Sequence, residues 1–240
     1  MRRIHPDPAE DVDIAAAYAY PQDDWLRLNM VASTDGAAWL KGLSGGLSSE
    51  GDHRIFGVLR GLADVVLAGA ATVRTEGYGP ARPRASWREL REGRSPAPPI
   101  AVITRRLDLD LSGALFTEAP RYGRTIVLTT ESAPEDRRRE AGSKAEVVIA
   151  GEERVDMRLA VQALRDRGHR RILCEGGPRL NGQLNAAGLI DELCLTISPL
   201  LVGGGAARIL NGTSFPARLR LAHVLEENEF LFCRYVREDE

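Results

Sequence analysis

The sequence predicts an α/β protein with a mixed, mostly parallel central sheet, flanked by helices and closed by an antiparallel C-terminal edge. Short apolar segments alternate with helix-like segments along most of the chain, which is typical of βα units around a parallel sheet. Residues 64–68 are almost continuously apolar, the pattern of a strand buried on both faces. The last two β-type segments, 219–225 and 231–236, are not separated by a helix and predict an antiparallel pair.

The strands follow from periodicity and from short apolar runs. Residues 26–32 alternate apolar and polar side chains, which indicates a half-buried strand, and a glycine-rich loop over 35–51 follows it. Around 230–235, the terminal β segment predicts either a subunit interface or an edge strand. Further strands are predicted at 99–104, 125–129, 146–149, 171–174 and 192–198.

The helices follow from apolar residues that recur on one face. Residues 52–60 predict a helix because Ile55 and Leu59 share a face, and 157–168 predict one with Leu159, Val161 and Leu164 turned inward. A charged, solvated helix is predicted at 133–142, and two further helices are predicted, a short one after 69–71 and another at 181–187. Residues 77–99 are rich in Pro, Gly and Arg and predict mostly loop.

Composition limits the function. We expect residues 1–24 to be an N-terminal extension and 25–240 a single domain. The net charge of −2 argues against nucleic acid and anionic membranes as partners. No signal peptide is expected, because the N-terminus turns acidic at once, and no apolar run approaches membrane-spanning length.

The cysteines also bear on location. Cys174, Cys194 and Cys233 stand far apart in apolar stretches, which predicts buried, reduced thiols in a cytoplasmic protein. No CxxC pair or Cys/His cluster occurs, so we expect no metal site.

The most informative segment is Glu175-Gly176-Gly177-Pro178-Arg179-Leu180-Asn181, between the strand at 171–174 and a helix. The two glycines permit a tight turn, and Pro178 suits a first helical turn. Free N–H groups at a helix start, together with the helix dipole, favour an anion. The segment therefore predicts either a site for a phosphate-bearing ligand or an ordinary strand-to-helix turn.

Two other strand ends carry polar residues, where ligands bind in open α/β sheets. Asp35 follows the first strand and predicts either a substrate-orienting carboxylate or a turn-supporting side chain. Thr72 follows 64–68 and predicts a ligand contact, the start of its own helix, or both, since the two roles are compatible. Several motifs are absent, namely GxGxxG after a strand, the GxxxxGK[ST] loop, the zinc-deaminase signature and GxSxG.

Five segments taken together resemble a known family. They are 28–36, Leu59-Arg60, 69–73, 175–181 and 188–193, in the family's order and approximate spacing. They resemble the pyrimidine reductase of riboflavin biosynthesis, the C-terminal reductase domain of the bifunctional deaminase–reductase. The resemblance covers roughly residues 25 to 236, and we expect a stand-alone form without a deaminase half.

The resemblance implies a dihydrofolate-reductase-like fold, NADPH as cofactor and a homodimer. It implies reduction of the ribosyl group of a phosphorylated aminopyrimidine riboside to a ribityl chain. In such a reaction the protein mainly positions donor and acceptor carbons, excludes water and supplies a proton.

The resemblance also assigns residues by position. Asp35 and Glu175 match the catalytic centre, with Glu175 able to bind the pyrimidine's amino groups, and Arg105 matches a contact that we expect to meet the cofactor 2′-phosphate. The other cofactor-binding positions are Ala32, Thr72, Glu76, Gly176, Gly177, Pro178, Arg179, Leu180 and Asn181. The substrate-binding positions are Ser44, Arg60, Arg82 and Arg84.

This sequence departs from the family pattern at two places. Gly45-Gly46-Leu47 follows Ser44 where the family commonly has an aromatic residue. Pro83 stands at the position of a phosphate-gripping arginine, with Arg82 and Arg84 on either side. Two alternatives therefore accompany the leading prediction. One is a reductase acting on dihydrofolate or another pterin or pyrimidine, and the other is a nucleotide-binding regulatory protein without turnover.

Overall fold

The computed structural model describes residues 1–238, which form two compact units. The first unit comprises residues 1–59 and the chain from Cys174 onward, and the second comprises residues 60–173. The predicted division into an extension and one domain, with its boundary after residue 24, stays a prediction.

The helices and strands are as follows, in chain order. The strands are β1 (Arg2–His5), β2 (Trp25–Ser33), β3 (Val65–Gly69), β4 (Ile100–Ile103), β5 (Ile126–Thr129), β6 (Glu146–Ile149), β7 (Arg171–Cys174), β8 (Glu192–Ser198), β9 (Leu219–Glu227) and β10 (Phe230–Arg237). The helices are α1 (Ile14–Ala17), α2 (Glu50–Leu62), α3 (Ala70–Thr75), α4 (Ala114–Thr117), α5 (Glu135–Lys144), α6 (Met157–Arg165) and α7 (Pro178–Ala186).

The strands of the first unit lie in the order β1-β9-β10-β8-β2. β8 runs parallel to β2, whereas β10 is antiparallel to β8 and β9, and β1 is antiparallel to β9. The β9–β10 hairpin turns at Asn228 and Glu229, whose φ values of 52° and 70° are those that tight two-residue hairpin turns require. The predicted antiparallel C-terminal pair is therefore confirmed as a hairpin.

An unusual feature of β8 is that its polar residues face inward. The side chains of Glu192, Cys194, Thr196 and Ser198 are buried, and the leucines and isoleucine between them are half-buried. Burial of polar groups is tolerated when partners satisfy them. Thr196 Oγ1 donates to Asp52 Oδ1 at 2.6 Å, and Glu192 has partners of its own.

Glu192 is the centre of a buried ion cluster. Arg27 Nε donates to Glu192 Oε1 at 2.6 Å, Arg234 Nε donates to the same oxygen at 2.9 Å, and Trp25 Nε1 donates to Oε2 at 2.9 Å. Burial alone would raise the pKa of Glu192, but the charges of Arg27 and Arg234 outweigh it and lower the pKa. The carboxylate therefore stays ionised inside the first unit.

The strands of the second unit lie in the order β7-β3-β4-β5-β6. The pairs β3–β4, β4–β5 and β5–β6 are all parallel, with helices in the connections between them. β3, β4 and β5 are buried along nearly their whole length, as their continuous apolar sequences predict. The mixed α/β architecture with a mostly parallel sheet is confirmed.

Two arginines from the predicted loop region cap the end of α2 in the second unit. The buried Arg91 donates from Nη1 to the carbonyls of Gly61 at 3.1 Å and of Ala63, and Arg94 Nη1 donates to the carbonyl of Leu62 at 2.8 Å. Carbonyl groups in a last helical turn have no partner within the helix, so cationic donors stabilise them.

The structure corrects two expectations from sequence. Leu159 was expected to face inward, but it is 55% exposed, because about 200° of helical rotation separates it from the buried Val161. The segment around 230–235 was expected to be either an interface or an edge strand; β10 pairs on both sides and is therefore not an edge strand, whereas the interface stays a prediction. The predicted burial of all three cysteines is confirmed, and they are free thiols.

Candidate functional site

The glycine turn, defined as residues 175–177, joins β7 to α7 in the first unit. Glu175 is buried, with 8% of its surface exposed, and Gly176 has a φ of +88°, a conformation that favours glycine. A cis peptide bond joins Gly176 to Gly177, and α7 begins at Pro178. The predicted tight turn is thus present, and the helix begins three residues earlier than the segment 181–187 suggested.

Packing also favours a small residue at Gly176. A Cβ atom on this residue would lie 3.3 Å from Met30 Sδ and 3.5 Å from Asn181 Nδ2. Met30 and Asn181 therefore form one wall of the glycine turn. Met30 was not identified from sequence, since nothing in the alternating pattern of β2 marks one apolar residue as different from its neighbours.

The start of α7 has the properties of an anion site. Gly177 is the N-cap residue and has no side chain that could accept hydrogen bonds from the N–H groups of the first turn. The N–H groups there and the positive end of the helix dipole suit a pyrophosphate. Arg179 is exposed, whereas Leu180 is buried. The start of α7 therefore suits a phosphate-bearing ligand.

The side chain of Asn181 is fully buried and points away from solvent. Its Nδ2 donates to the carbonyl of Ile209 at 2.8 Å and lies 3.3 Å from Met30 Sδ, and Cys174 Sγ lies 3.7 Å from its Oδ1. Ala32, the other predicted cofactor contact in this unit, is also buried near the end of β2.

Asp35 lies in the exposed turn after β2, and its carboxylate is held by three donors. Ser33 Oγ donates to Oδ1 at 2.5 Å, and the N–H groups of Gly203 and Val202 donate at 2.6 Å and at 3.1 Å. Hydrogen bonds from Ser33, Gly203 and Val202 lower the pKa of Asp35 to about 2. Asp35 is therefore ionised at neutral pH, and its hydrogen bonds fix the loop after β8. The glycine run at 203–205 did not by itself predict this contact with Asp35.

Ser44 begins a short 3-10 turn, Ser44–Leu47, and is half-buried. The aromatic residue common after this serine is replaced by two exposed glycines. The expected contact between Ser44 and the substrate stays a prediction.

The remaining predicted cofactor contacts lie in the second unit. Thr72 is in the first half of α3, and its carbonyl accepts the N–H of Glu76 at 2.9 Å, so Glu76 ends the helix. Arg105 is exposed just beyond β4, and its carbonyl accepts Thr130 Oγ1 at 3.1 Å. The guanidinium of Arg105 is thus on the surface at the carboxyl end of a parallel strand, where ligands bind in α/β sheets.

The predicted substrate arginines of the second unit have local partners. Arg82 forms a surface ion pair with Glu118, and the guanidinium of Arg84 lies 5.4 Å from the ring centre of Trp87. The guanidinium of Arg60 lies 5.6 Å from the ring centre of Tyr78. Arg82 and Arg84 are exposed, so these contacts leave both side chains open to solvent.

Among residues 1–238, no set of three or more His, Cys, Asp and Glu side chains is grouped so as to hold a metal ion. The same part of the chain contains no helix with the length and apolar character needed to cross a bilayer.

Comparison with known families decides the classification. The family model described as RibD C-terminal domain matches residues 24–229. The chain belongs to the RibD C-terminal domain family.

Curated relatives in this family carry a specific name. A protein of Archaeoglobus fulgidus is 31% identical over 181 residues, which cover 74% of this chain and 81% of the relative. A protein of Methanothermobacter thermautotrophicus is 33% identical over 188 residues, covering 78% and 82%. Both are named 2,5-diamino-6-ribosylamino-4(3H)-pyrimidinone 5′-phosphate reductase.

Solved structures support the fold. A pyrimidine reductase-like protein of Corynebacterium diphtheriae is 28% identical with a TM-score of 0.84, covering 90% of this chain and 93% of that one. A dihydrofolate reductase of Enterococcus faecalis is 13% identical with a TM-score of 0.51, covering 90% and 98%, and shows a shared fold alone. The expected dihydrofolate-reductase-like fold of this RibD C-terminal domain protein is confirmed.

Proposed function

We propose that this chain reduces the ribosyl group of 2,5-diamino-6-ribosylamino-4(3H)-pyrimidinone 5′-phosphate to a ribityl group, with NADPH as the reductant, in riboflavin biosynthesis. The observation that carries the proposal is the glycine turn leading into α7, in a chain whose curated relatives are named for this reaction. A strand, a tight glycine turn and an uncapped helix start together suit the pyrophosphate of a dinucleotide.

Cofactor binding is assigned to residues whose properties suit it. In the first unit, the N–H groups at the start of α7 and the exposed Arg179 bind the pyrophosphate. In the second unit, Arg105 remains our prediction for the 2′-phosphate, because a guanidinium binds phosphate through charge-assisted hydrogen bonds. Bound NADPH supplies the hydride that reduces C1′ of the ring-opened sugar.

The two predicted catalytic carboxylates have different roles in the proposal. The reduction consumes a proton at the sugar, and Asp35 is a poor donor at neutral pH because its pKa is about 2. Asp35 instead positions the loop that begins after β8. Glu175, buried directly before the glycine turn, is the carboxyl that we assign to the substrate's amino groups.

A homodimer is part of the proposal, and we place its interface on one face of the first unit's sheet. Leu193, Leu195 and Ile197 of β8 alternate with the inward polar residues and are half-buried. Their partners in register on β10 include Leu231 and Tyr235, also half-buried. An apolar sheet face of this kind suits association with a second copy. A monomeric mass at micromolar concentration in light scattering would contradict this part.

We also propose a cytoplasmic location, because three buried free thiols suit a reducing compartment.

The test follows NADPH absorbance with purified protein and three substrates offered separately. These are the diaminopyrimidinone ribosyl phosphate, its deaminated counterpart and dihydrofolate. We expect oxidation with the first. Oxidation with dihydrofolate alone would place the protein among pterin reductases, and NADPH binding without oxidation would favour a regulatory role.

Arg105 provides a test of cofactor choice with a neighbouring control. Losing one charge-assisted hydrogen bond costs about 1.5–3 kcal/mol, so Arg105→Ala should raise the KM for NADPH roughly tenfold to a hundredfold and leave that for NADH little changed. Arg106→Ala removes another exposed charge one residue away. Equal effects of the two variants would mean that general charge, not a specific contact, is being measured.

A further inference from the structure

The buried amide of Asn181 joins three separate segments of the first unit. Its Nδ2 donates to the carbonyl of Ile209 in the connection between β8 and β9, and it also lies against Met30 Sδ on β2. Its Oδ1 faces the Cys174 thiol at the end of β7. A fully buried amide with such partners fixes the geometry of what surrounds it, because breaking any of these contacts leaves a polar group unsatisfied.

The surroundings of Asn181 include the glycine turn itself. Its Nδ2 lies 3.5 Å from the position that a Cβ of Gly176 would take, and Met30 Sδ lies 3.3 Å from the same position. The turn therefore rests directly on the Asn181 amide and on the sulfur atom that this amide contacts.

The connection between β8 and β9 is pressed against α7 at the same place. The N–H of Asn211 donates to the carbonyl of Pro178 at 2.9 Å. A Cβ on Gly182 would lie 2.3 Å from the carbonyl oxygen of Asn211, so glycine is needed for this close approach. The segment 209–212 thus packs directly against the first turns of α7. The Asn181 side chain contacts both this segment and the glycine turn.

We propose that Asn181 is a positioning residue that holds the glycine turn in the conformation that binds the cofactor. The inference rests on the proposed function, since it gives the turn the role of a cofactor site. In this proposal the Asn181 side chain acts through its contacts with Gly176, Met30 and Ile209.

The same helix offers a matched control. Asn185 lies one turn further along α7, and its Nδ2 donates to the carbonyl of Phe215 at 2.6 Å, in the same connection between β8 and β9. Asn185 therefore makes the same kind of bond to the same segment, but it does not contribute to the wall of the glycine turn.

The experiment compares Asn181→Leu and Asn181→Ser with Asn185→Leu. Leucine keeps the volume without the hydrogen bonds, and serine gives a smaller polar group in case leucine prevents folding. Two quantities are measured, namely hydrogen exchange of the amides in 175–180 without cofactor, and KM for NADPH against kcat. For both Asn181 variants we expect exchange at 175–180 to rise and KM to rise about tenfold, with kcat changed less than about threefold.

The outcomes separate this inference from the proposed function. Exchange at 175–180 is read without cofactor, so it tests the hold of Asn181 on the turn even if the wild-type protein were inactive on every pyrimidine. Wild-type exchange in both Asn181 variants, or an equal increase in Asn185→Leu, would overturn the inference. So would a loss of kcat with KM unchanged, because positioning a binding turn acts on cofactor affinity.

Discussion

Replacing Gly176 with alanine tests the glycine turn by adding a single methyl group. The φ of +88° places this residue in the left-handed region, where an L-residue costs about 1–2 kcal/mol. The added carbon would also lie 3.3 Å from Met30 Sδ, closer than an ordinary contact, so Met30 or the turn has to shift by a few tenths of an ångström.

A second glycine isolates the contribution of strain alone. Gly168, in the loop after α6, has a φ of +83° and nothing within 4 Å of its would-be Cβ. Gly168→Ala should therefore lose about 1–2 kcal/mol of unfolding free energy and leave catalysis unchanged. Gly176→Ala carries the same strain and also crowds Met30, so we expect the turn itself to move.

The assay is urea unfolding together with KM for NADPH for both variants. If the turn moves, the free energy of cofactor binding becomes less favourable by up to the strain energy of about 1–2 kcal/mol. KM for NADPH in Gly176→Ala should then rise roughly 5- to 30-fold. An unchanged KM for Gly176→Ala, with stability reduced as in Gly168→Ala, would refute the assignment of the turn to the cofactor.

Two further predictions concern the first unit. Glu192→Leu should cost about 3–5 kcal/mol in urea unfolding, because it leaves the buried Arg27 and the half-buried Arg234 without their counter-charge. Glu226→Gln, at an exposed pair with Arg2, should cost clearly less; similar losses would contradict the account of the cluster. For Asp35 the folded-state pKa of about 2 is below the ordinary value of 3.8, so its contribution is fully present above about pH 4 and is lost as the pH falls through about 2. The pH–rate profile should therefore show no titration step from Asp35 between pH 5 and 8. Asp35→Asn should weaken the hydrogen bonds from the N–H groups of Val202 and Gly203, which would be seen as faster exchange of these two amides. If the wild-type profile had a step in this range and Asp35→Asn removed it, Asp35 would be the proton donor.

Much of the architecture was accessible from the sequence, because it follows from local patterns. The continuous apolar runs of β3, β4 and β5 and the Gly-Pro start of α7 predict their structures without knowledge of distant residues. β1 was not predicted, since Arg2–His5 has no apolar pattern and becomes a strand through pairing with β9.

The site was predicted in outline and not in its contacts. Glu175 and the glycine turn are visible as a motif, but the Met30 and Ile209 contacts of Asn181 depend on segments brought together by the fold. Asp35 was open to two interpretations, a substrate-orienting carboxylate or a support for its turn. The three donors to its carboxylate, two of them some 170 residues away in sequence, favour a supporting role that extends to the loop after β8.

The most direct test of the proposed reaction follows the hydride itself. The protein is incubated with the diaminopyrimidinone ribosyl phosphate and with NADPH that carries deuterium in place of both hydrogens on C4 of the nicotinamide. The product is examined by mass spectrometry and NMR. We predict a ribityl product with one deuterium at C1′. Recovery of the unreduced ribosyl compound, or deuterium at any position of the pyrimidine ring, would contradict the account.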